Sequence, residues 1–124
     1  MSLRVAVVGA GPAGIYASDL LIRNEEHDIH VDLFEQMPAP FGLIRYGVAP
    51  DHPRIKGIVK SLHNVLNKDK LRLIANVTVG RDVTIDDLRD YYDAVVLSTG
   101  AVRDRELLIP GGDKSIGAGE FVGF

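Results

Sequence analysis

Residues 3–14, LRVAVVGAGPAG, decide how the rest of the chain is read. Leu3 to Val8 is an almost unbroken apolar run, and such runs suit a strand covered on both faces, as in a parallel sheet. Gly9 to Gly14 follows as a glycine-rich turn. Pro12 fits the first turn of a helix, where its missing N–H has no intrahelical partner to lose. Ile15, Leu20, Leu21 and Ile22 carry that helix to about Arg23, and His30 to Phe34 forms a second strand. Strand, helix and strand in this order make a βαβ unit with a right-handed crossover. The expected fold class is α/β, a Rossmann-like βαβ domain.

The turn Gly9-Ala10-Gly11-Pro12-Ala13-Gly14 has the form GxGxxG. Alone, that pattern recurs by chance in glycine-rich connections. Here a buried strand precedes it, a helix follows, and an acid lies about 20 positions on, which completes a dinucleotide-binding fingerprint. Each glycine has its own reason. Gly9 lets the chain turn sharply off the strand, Gly11 leaves room for a pyrophosphate against the backbone, and Gly14 permits close helix–sheet packing. The helix N-terminus offers N–H groups and a positive dipole end to the phosphates. The acid is Glu35, at the end of the second strand. A carboxylate there can accept hydrogen bonds from both ribose hydroxyls of an adenosine and would repel a 2′-phosphate. The site is therefore expected to hold FAD or NAD and not NADP.

From Glu35 to Pro53 the chain holds Pro38, Pro40, Pro50 and Pro53 with Gly42 and Gly47, and reads as a long ordered loop. Loops of that length inside a compact domain are usually functional. Pro53 opens the next helix, with Ile55, Ile58, Val59, Leu62 and Leu66 as one apolar stripe. Leu71 to Ala75 and Val77 to Val79 read as short strands, with a turn at Gly80-Arg81-Asp82. Thr84 caps a short helix, and Asp87 three positions on resembles a capping box. Ala94 to Ser98 reads as another buried strand, ending in Thr99-Gly100-Ala101.

The chain of 124 residues has the length of about one domain. Its net charge of −3 argues against a mainly electrostatic nucleic-acid binder. There is no cysteine, so redox chemistry must come from a bound cofactor, and no metal-ligating set is read. Met1-Ser2-Leu3-Arg4 leads straight into the first strand without the features of a signal or transit peptide, and no apolar run reaches membrane-spanning length. The cytoplasm is the expected location.

The most specific stretch is PFGLIRYGVAPDHP, residues 40–53. With it the chain resembles the adrenodoxin reductase and ferredoxin–NADP reductase family of glutathione-reductase-like flavoproteins. The resemblance continues through Asn76-Val77-Thr78-Val79-Gly80, Ser98-Thr99-Gly100-Ala101, Ile109-Pro110-Gly111 and Phe121-Val122-Gly123. Phe124 stands where many members have Trp. Related flavoproteins with a GGLL.YGIP-type loop lack APDHP.

The resemblance implies FAD as cofactor. Gly9, Gly11, Pro12, Ala13 and Gly14 would lie at its pyrophosphate and Glu35 at its adenosine ribose. Gly42, Leu43 and Arg45 would approach it from the long loop, Val79 at the adenine side, and Thr99 and Gly100 where the last strand ends. His52 corresponds to the family's polar residue near the reacting end of the flavin; read from the residues alone, it is equally a histidine starting a helix beside Pro53. Arg45 either orders the loop through a carboxylate or favours a negatively charged reduced flavin. Family members are several times longer and insert a second glycine-turn domain for NADPH. Residues 1–103 are thus expected to be the leading part of the FAD domain and residues 104–124 a connection toward an NADPH domain absent from this sequence. For the parent enzyme the resemblance implies hydride uptake from NADPH and release of single electrons to a ferredoxin-type iron–sulfur protein. The fragment alone is expected to be inactive. Two alternatives stand beside this: a flavin or nucleotide module without catalysis, and a related NAD(P)H flavoprotein acting on a small molecule.

Overall fold

The computed structural model describes residues 1–49 and 51–122. Pro50 of the proline-rich loop, Gly123 of the last motif and Phe124 lie outside the described residues. The elements are β1 (Ser2–Val8), α1 (Pro12–Ile22), β2 (Asp28–Phe34), α2 (Leu43–Tyr46), α3 (Pro53–Gly57), α4 (Val59–Leu66), β3 (Leu71–Ile74), α5 (Ile85–Tyr91), β4 (Ala94–Leu97), a 3-10 turn (Gly112–Lys114) and α6 (Ala118–Val122). The strands form one parallel sheet in the order β3-β2-β1-β4. The expected α/β, Rossmann-like fold is the one observed.

The valine-rich run of β1 sits inside the sheet, and alternation along it feeds two cores. Val5 and Val7 join Ile29, Val31, Leu33 and Leu71 on the face covered by Ile15 of α1 and Leu62 and Val65 of α4. Ala6 and Val8 join Phe34 on the other face, under Leu88 of α5. The register pairs Val5 with Val31 and with Ala94, so each face is continuous across strands. Alternate residues of a strand point to opposite faces, which is why a strand buried on both has no polar positions to spare.

Several elements differ from the sequence expectation, each for a local reason. The long loop contains a helical turn, α2, whose Ile44 is buried against the first core. The helix opened by Pro53 is two short segments, α3 ending at Gly57 and α4 starting at Val59. Glycine propagates a helix poorly. Ile55 of the expected stripe is exposed, while Val65, outside that stripe, is buried. Leu20 likewise faces solvent. Val77 to Val79 is not a strand: Val79 makes a lone bridge to Val83. Asn76 takes a left-handed conformation (φ 59°) and the chain leaves the sheet, Asn76 N–H bonding to the Met37 carbonyl and Val77 N–H to that of Glu35. Thr78 N–H then goes to the Asp82 carboxylate, which closes the turn.

The capping box at α5 is present in full: Asp87 N–H bonds to the Thr84 hydroxyl (3.0 Å) and Thr84 N–H to the Asp87 carboxylate (2.8 Å). Contrary to the buried strand that its sequence predicts, β4 lies at the sheet edge, with Leu97 62% exposed. Its apolar sequence gives no sign of which flank is covered.

Candidate functional site

The glycine turn leaves the carboxyl end of β1, between the ends of β2 and β4. In open α/β sheets ligands bind outside the carboxyl ends of strands where the strand order changes direction, and β1 is that point. Gly9 N–H is bound by the Phe34 carbonyl (2.8 Å), holding the turn to the end of β2. Gly9 has φ +105°, and a side chain there would run into the Ser98 backbone. Gly14 is glycine because a Cβ would collide with the Gly9 carbonyl oxygen. Helix and turn are therefore in backbone contact.

Gly11 is unlike either. Its φ of −76° is open to any residue, and a Cβ on it would come no closer to the protein than 4.0 Å, at the Gly42 Cα. No described residue requires glycine at this position. Pro12 opens α1, the first turn carries no acid, and the first helical bond is Ile15 N–H to the Gly11 carbonyl (3.1 Å). The amides of Ala13 and Gly14 precede it and have no intrahelical acceptor, so they can bind an anion. Ala13 is exposed.

Glu35 is buried, 7% exposed. One carboxylate oxygen accepts from Ala10 N–H (2.9 Å) and the other from Met37 N–H (3.0 Å). Each oxygen keeps a further lone pair for another donor. The Ala10 carbonyl accepts from Phe41 N–H (2.8 Å), so the turn is tied to the long loop twice. Phe41 is buried with φ 90°, rare for a residue with a side chain. Gly42 follows with φ 52°, its Cβ position 3.1 Å from the Gly11 Cα. Arg45 orders the loop through a carbonyl and not through a carboxylate: its Nε donates to Pro40 O (3.0 Å) and its guanidinium lies over the Phe41 ring (5.1 Å).

Gly9, Gly11, Gly14, Glu35 and Gly42 thus meet at one place, with Arg45 bracing the loop beside it. The backbone of Thr99 is there as well, 3.2 Å from the Cβ position of Gly9. Gly100 continues from it with φ +63°. Leu43 is exposed and packs beside Gly47. Val79 contributes to the second core. His52 is exposed at the N-cap of α3, its Nδ1 2.8 Å from Asp51 Oδ1. Two contributors escaped the sequence reading. Phe41 carries no sequence signal of its positive φ. Ser98, whose hydroxyl lies 3.0 Å from the Val8 carbonyl and 3.1 Å from that of Gly9, fastens β4 to the turn. Its place before Thr99-Gly100 was the only hint.

The opposite end of the sheet holds a different cluster. Asp32 is buried and accepts from Arg4 (2.9 Å), Arg72 (2.9 and 2.8 Å) and Tyr92 Oη (2.7 Å). Burial by itself would raise the Asp32 carboxyl, but hydrogen bonds from Arg72 and Tyr92, with the Arg72 charge and Arg4, outweigh it and hold the group below its usual 3.8. Burial first, and then the Asp32 carboxylate, push the Tyr92 phenol up to about 12. A cavity of about 370 Å³ opens here beside Arg4, Lys70 and Arg72. Asp32 engages both guanidiniums, so the cluster braces three strands while the two half-exposed arginines keep it net positive.

Fold and turn together define a nucleotide-binding α/β domain. Residues 7–69 match the family described as NAD(P)-binding Rossmann-like domain, and the chain belongs to it. Within that class it resembles the NADPH:adrenodoxin oxidoreductases. It is 46% identical to the human mitochondrial NADPH:adrenodoxin oxidoreductase over 108 residues, covering 87% of this chain and 22% of that protein. For the Salvelinus fontinalis counterpart the figures are 42% over 125 residues, 99% and 25%. The structure of Mycobacterium tuberculosis FprA in complex with NADPH superposes with a TM-score of 0.92 at 42% identity, covering 99% of this chain and 28% of that one. The chain therefore spans about a quarter of the length of the curated relatives it matches.

Proposed function

We propose that this chain forms the FAD pyrophosphate and ribose site of an NADPH-dependent reductase that passes electrons to a ferredoxin-type iron–sulfur protein. Residues 1–103 are the leading part of the FAD domain and residues 104–124 the connection toward an NADPH domain. The observation that carries the reading is Gly11, a glycine needed neither by its φ nor by any described neighbour. Its open flank, beside the α1 N-terminus, fits a pyrophosphate. When bound, FAD supplies the redox chemistry that joins a two-electron donor to one-electron acceptors.

The chain's own residues bind and orient. Ala13 and Gly14 amides receive the phosphates. Glu35 uses its remaining lone pairs for the adenosine ribose, and its charge disfavours the 2′-phosphate of NADP at this site. Gly42, Leu43 and Arg45 hold the loop edge, Val79 the adenine side, and Thr99-Gly100 the sheet end. His52 would stand toward the reacting end of the flavin, or would serve only to start α3 beside Pro53. The named activities of the adrenodoxin oxidoreductases and the NADPH bound to FprA support NADPH as the donor in a longer parent. Those oxidoreductases are mitochondrial proteins. No helix among the described residues is long and apolar enough to cross a membrane. We place the chain itself in the cytoplasm, to be checked by cell fractionation.

The single glycine turn also allows a nucleotide-binding module without catalysis. Cofactor released by heat from the purified chain and separated by chromatography distinguishes the identities. FAD is expected; FMN alone, or a nicotinamide dinucleotide alone, would overturn the assignment.

A further inference from the structure

The Glu35 carboxylate bridges Ala10 N–H (2.9 Å) and Met37 N–H (3.0 Å) from a nine-tenths buried position. We propose that Glu35 is a positioning residue for the phosphate subsite, setting the amides of the glycine turn through Ala10, in addition to any contact with ribose. The proposal rests on the nucleotide-binding reading above.

The connections support it. Ala10 is fully buried and fixed at both ends of its peptide groups: its N–H by Glu35 and its carbonyl by Phe41 N–H. Gly11 is the next residue and the N-cap of α1, so the Gly9–Ala10 peptide, held by Glu35, and the Ala10–Gly11 peptide, held by Phe41, together aim the first turn of the helix. The other carboxylate oxygen holds Met37, whose carbonyl receives Asn76 N–H. The Glu35 backbone is fixed as well, its N–H by Ile74 and its carbonyl by Val77 N–H (both 3.0 Å). Glu35 thus registers the turn against the long loop through its side chain, and both against the end of β3 through its backbone. Only a doubly accepting group can do this. Glutamine keeps the size but has one acceptor oxygen, and its NH₂ would face an N–H donor.

The test compares the unmodified chain with Glu35→Gln, using ADP and 2′,3′-dideoxyadenosine diphosphate as calorimetric probes. The second probe has the pyrophosphate but no ribose hydroxyl. A purely ribose-binding Glu35 predicts weaker ADP binding and unchanged binding of the dideoxy compound. Positioning predicts that both weaken, the dideoxy compound by about tenfold, as for loss of a charge-assisted hydrogen bond. Unchanged affinity for the dideoxy compound would overturn the proposal. Amide hydrogen exchange without ligand separates this from the nucleotide reading. Ala10 and Met37 should be protected in the unmodified chain and exchange about tenfold faster in Glu35→Gln, with Val7 and Val31 unchanged. Fast exchange at Ala10 and Met37 in the unmodified chain overturns the proposal even if the variant fails to fold. Protected amides in a chain that binds neither probe would instead sink the nucleotide reading, and with it the phosphate role.

Discussion

At the residue scale, three glycines of one motif separate by what surrounds them. Gly14→Ala places a methyl group against the Gly9 carbonyl and should cost about 2–3 kcal/mol in denaturant unfolding. Gly11→Ala meets open space at a permissive φ, and its stability should stay within about 0.5 kcal/mol of the parent. FAD affinity should nevertheless fall at least about tenfold, because the methyl group occupies the pyrophosphate's approach. Full FAD retention in Gly11→Ala would misplace the phosphate. Tyr92 gives a pH signature at the far end of the sheet. Its folded pKa lies above the ordinary 10.0, at about 12, so its contribution is fully present below pH 10 and lost as pH rises through 12. Tyr92→Phe should lose about 1–2 kcal/mol at neutral pH, and the gap to the parent should shrink between these values. Asp32 runs the other way: its carboxyl is held below 3.8, so its contribution is present above that value and lost as pH falls beneath it.

At the element scale, α5 shows how a short helix is kept. Its seven residues are too few for an isolated helix to be stable. The capping box satisfies its first donors, Asp86 and Asp87 suit the positive dipole end, and Leu88 anchors it to the second core. Thr84→Ala should cost about 1 kcal/mol by thermal or chemical unfolding, without changing FAD retention. A loss of FAD equal to that of Gly11→Ala would mean that α5 supports the site more directly than its contacts suggest. The loop around Phe41 is held differently. Its order comes from Ala10, Pro40 and the Arg45 guanidinium, together with the burial of Phe41 and Ile44 in the first core.

At the scale of the whole molecule, the sequence has one glycine turn, and on the function proposed above Glu35 would suit that turn to an unphosphorylated ribose. Hydride transfer needs donor and acceptor held at about 3–3.5 Å, which requires a second nucleotide site. The 124-residue chain should therefore oxidise NADPH far more slowly than a full-length relative when both are supplied with FAD and an artificial electron acceptor. Comparable steady-state turnover would reveal a second site within residues 54–122. The exposed apolar side chains of Leu97, Val102, Leu108, Ile116 and Phe121 lie on β4 and the segment after it. That distribution fits a parent in which further chain packs on this side.

Read alone, the sequence determined the β1–turn–α1–β2 unit, the α5 cap and the meeting of Gly9, Gly14 and Glu35 at the turn. These follow from neighbour spacing: a run buried on both faces, glycines at fixed offsets, a hydroxyl three positions before an acid. Tertiary structure alone decided that β4 is an edge, that Val77 to Val79 leaves the sheet, and that α3 and α4 are separate. It also decided the Glu35 bridge to Ala10, 25 positions away, and the bonds from Arg72 and Tyr92 to Asp32, 40 and 60 positions away. Periodicity records which way a side chain points, not what it meets. A carboxylate's partners, a strand's outer neighbour and the positive φ of Phe41 depend on segments brought together only when the sheet assembles.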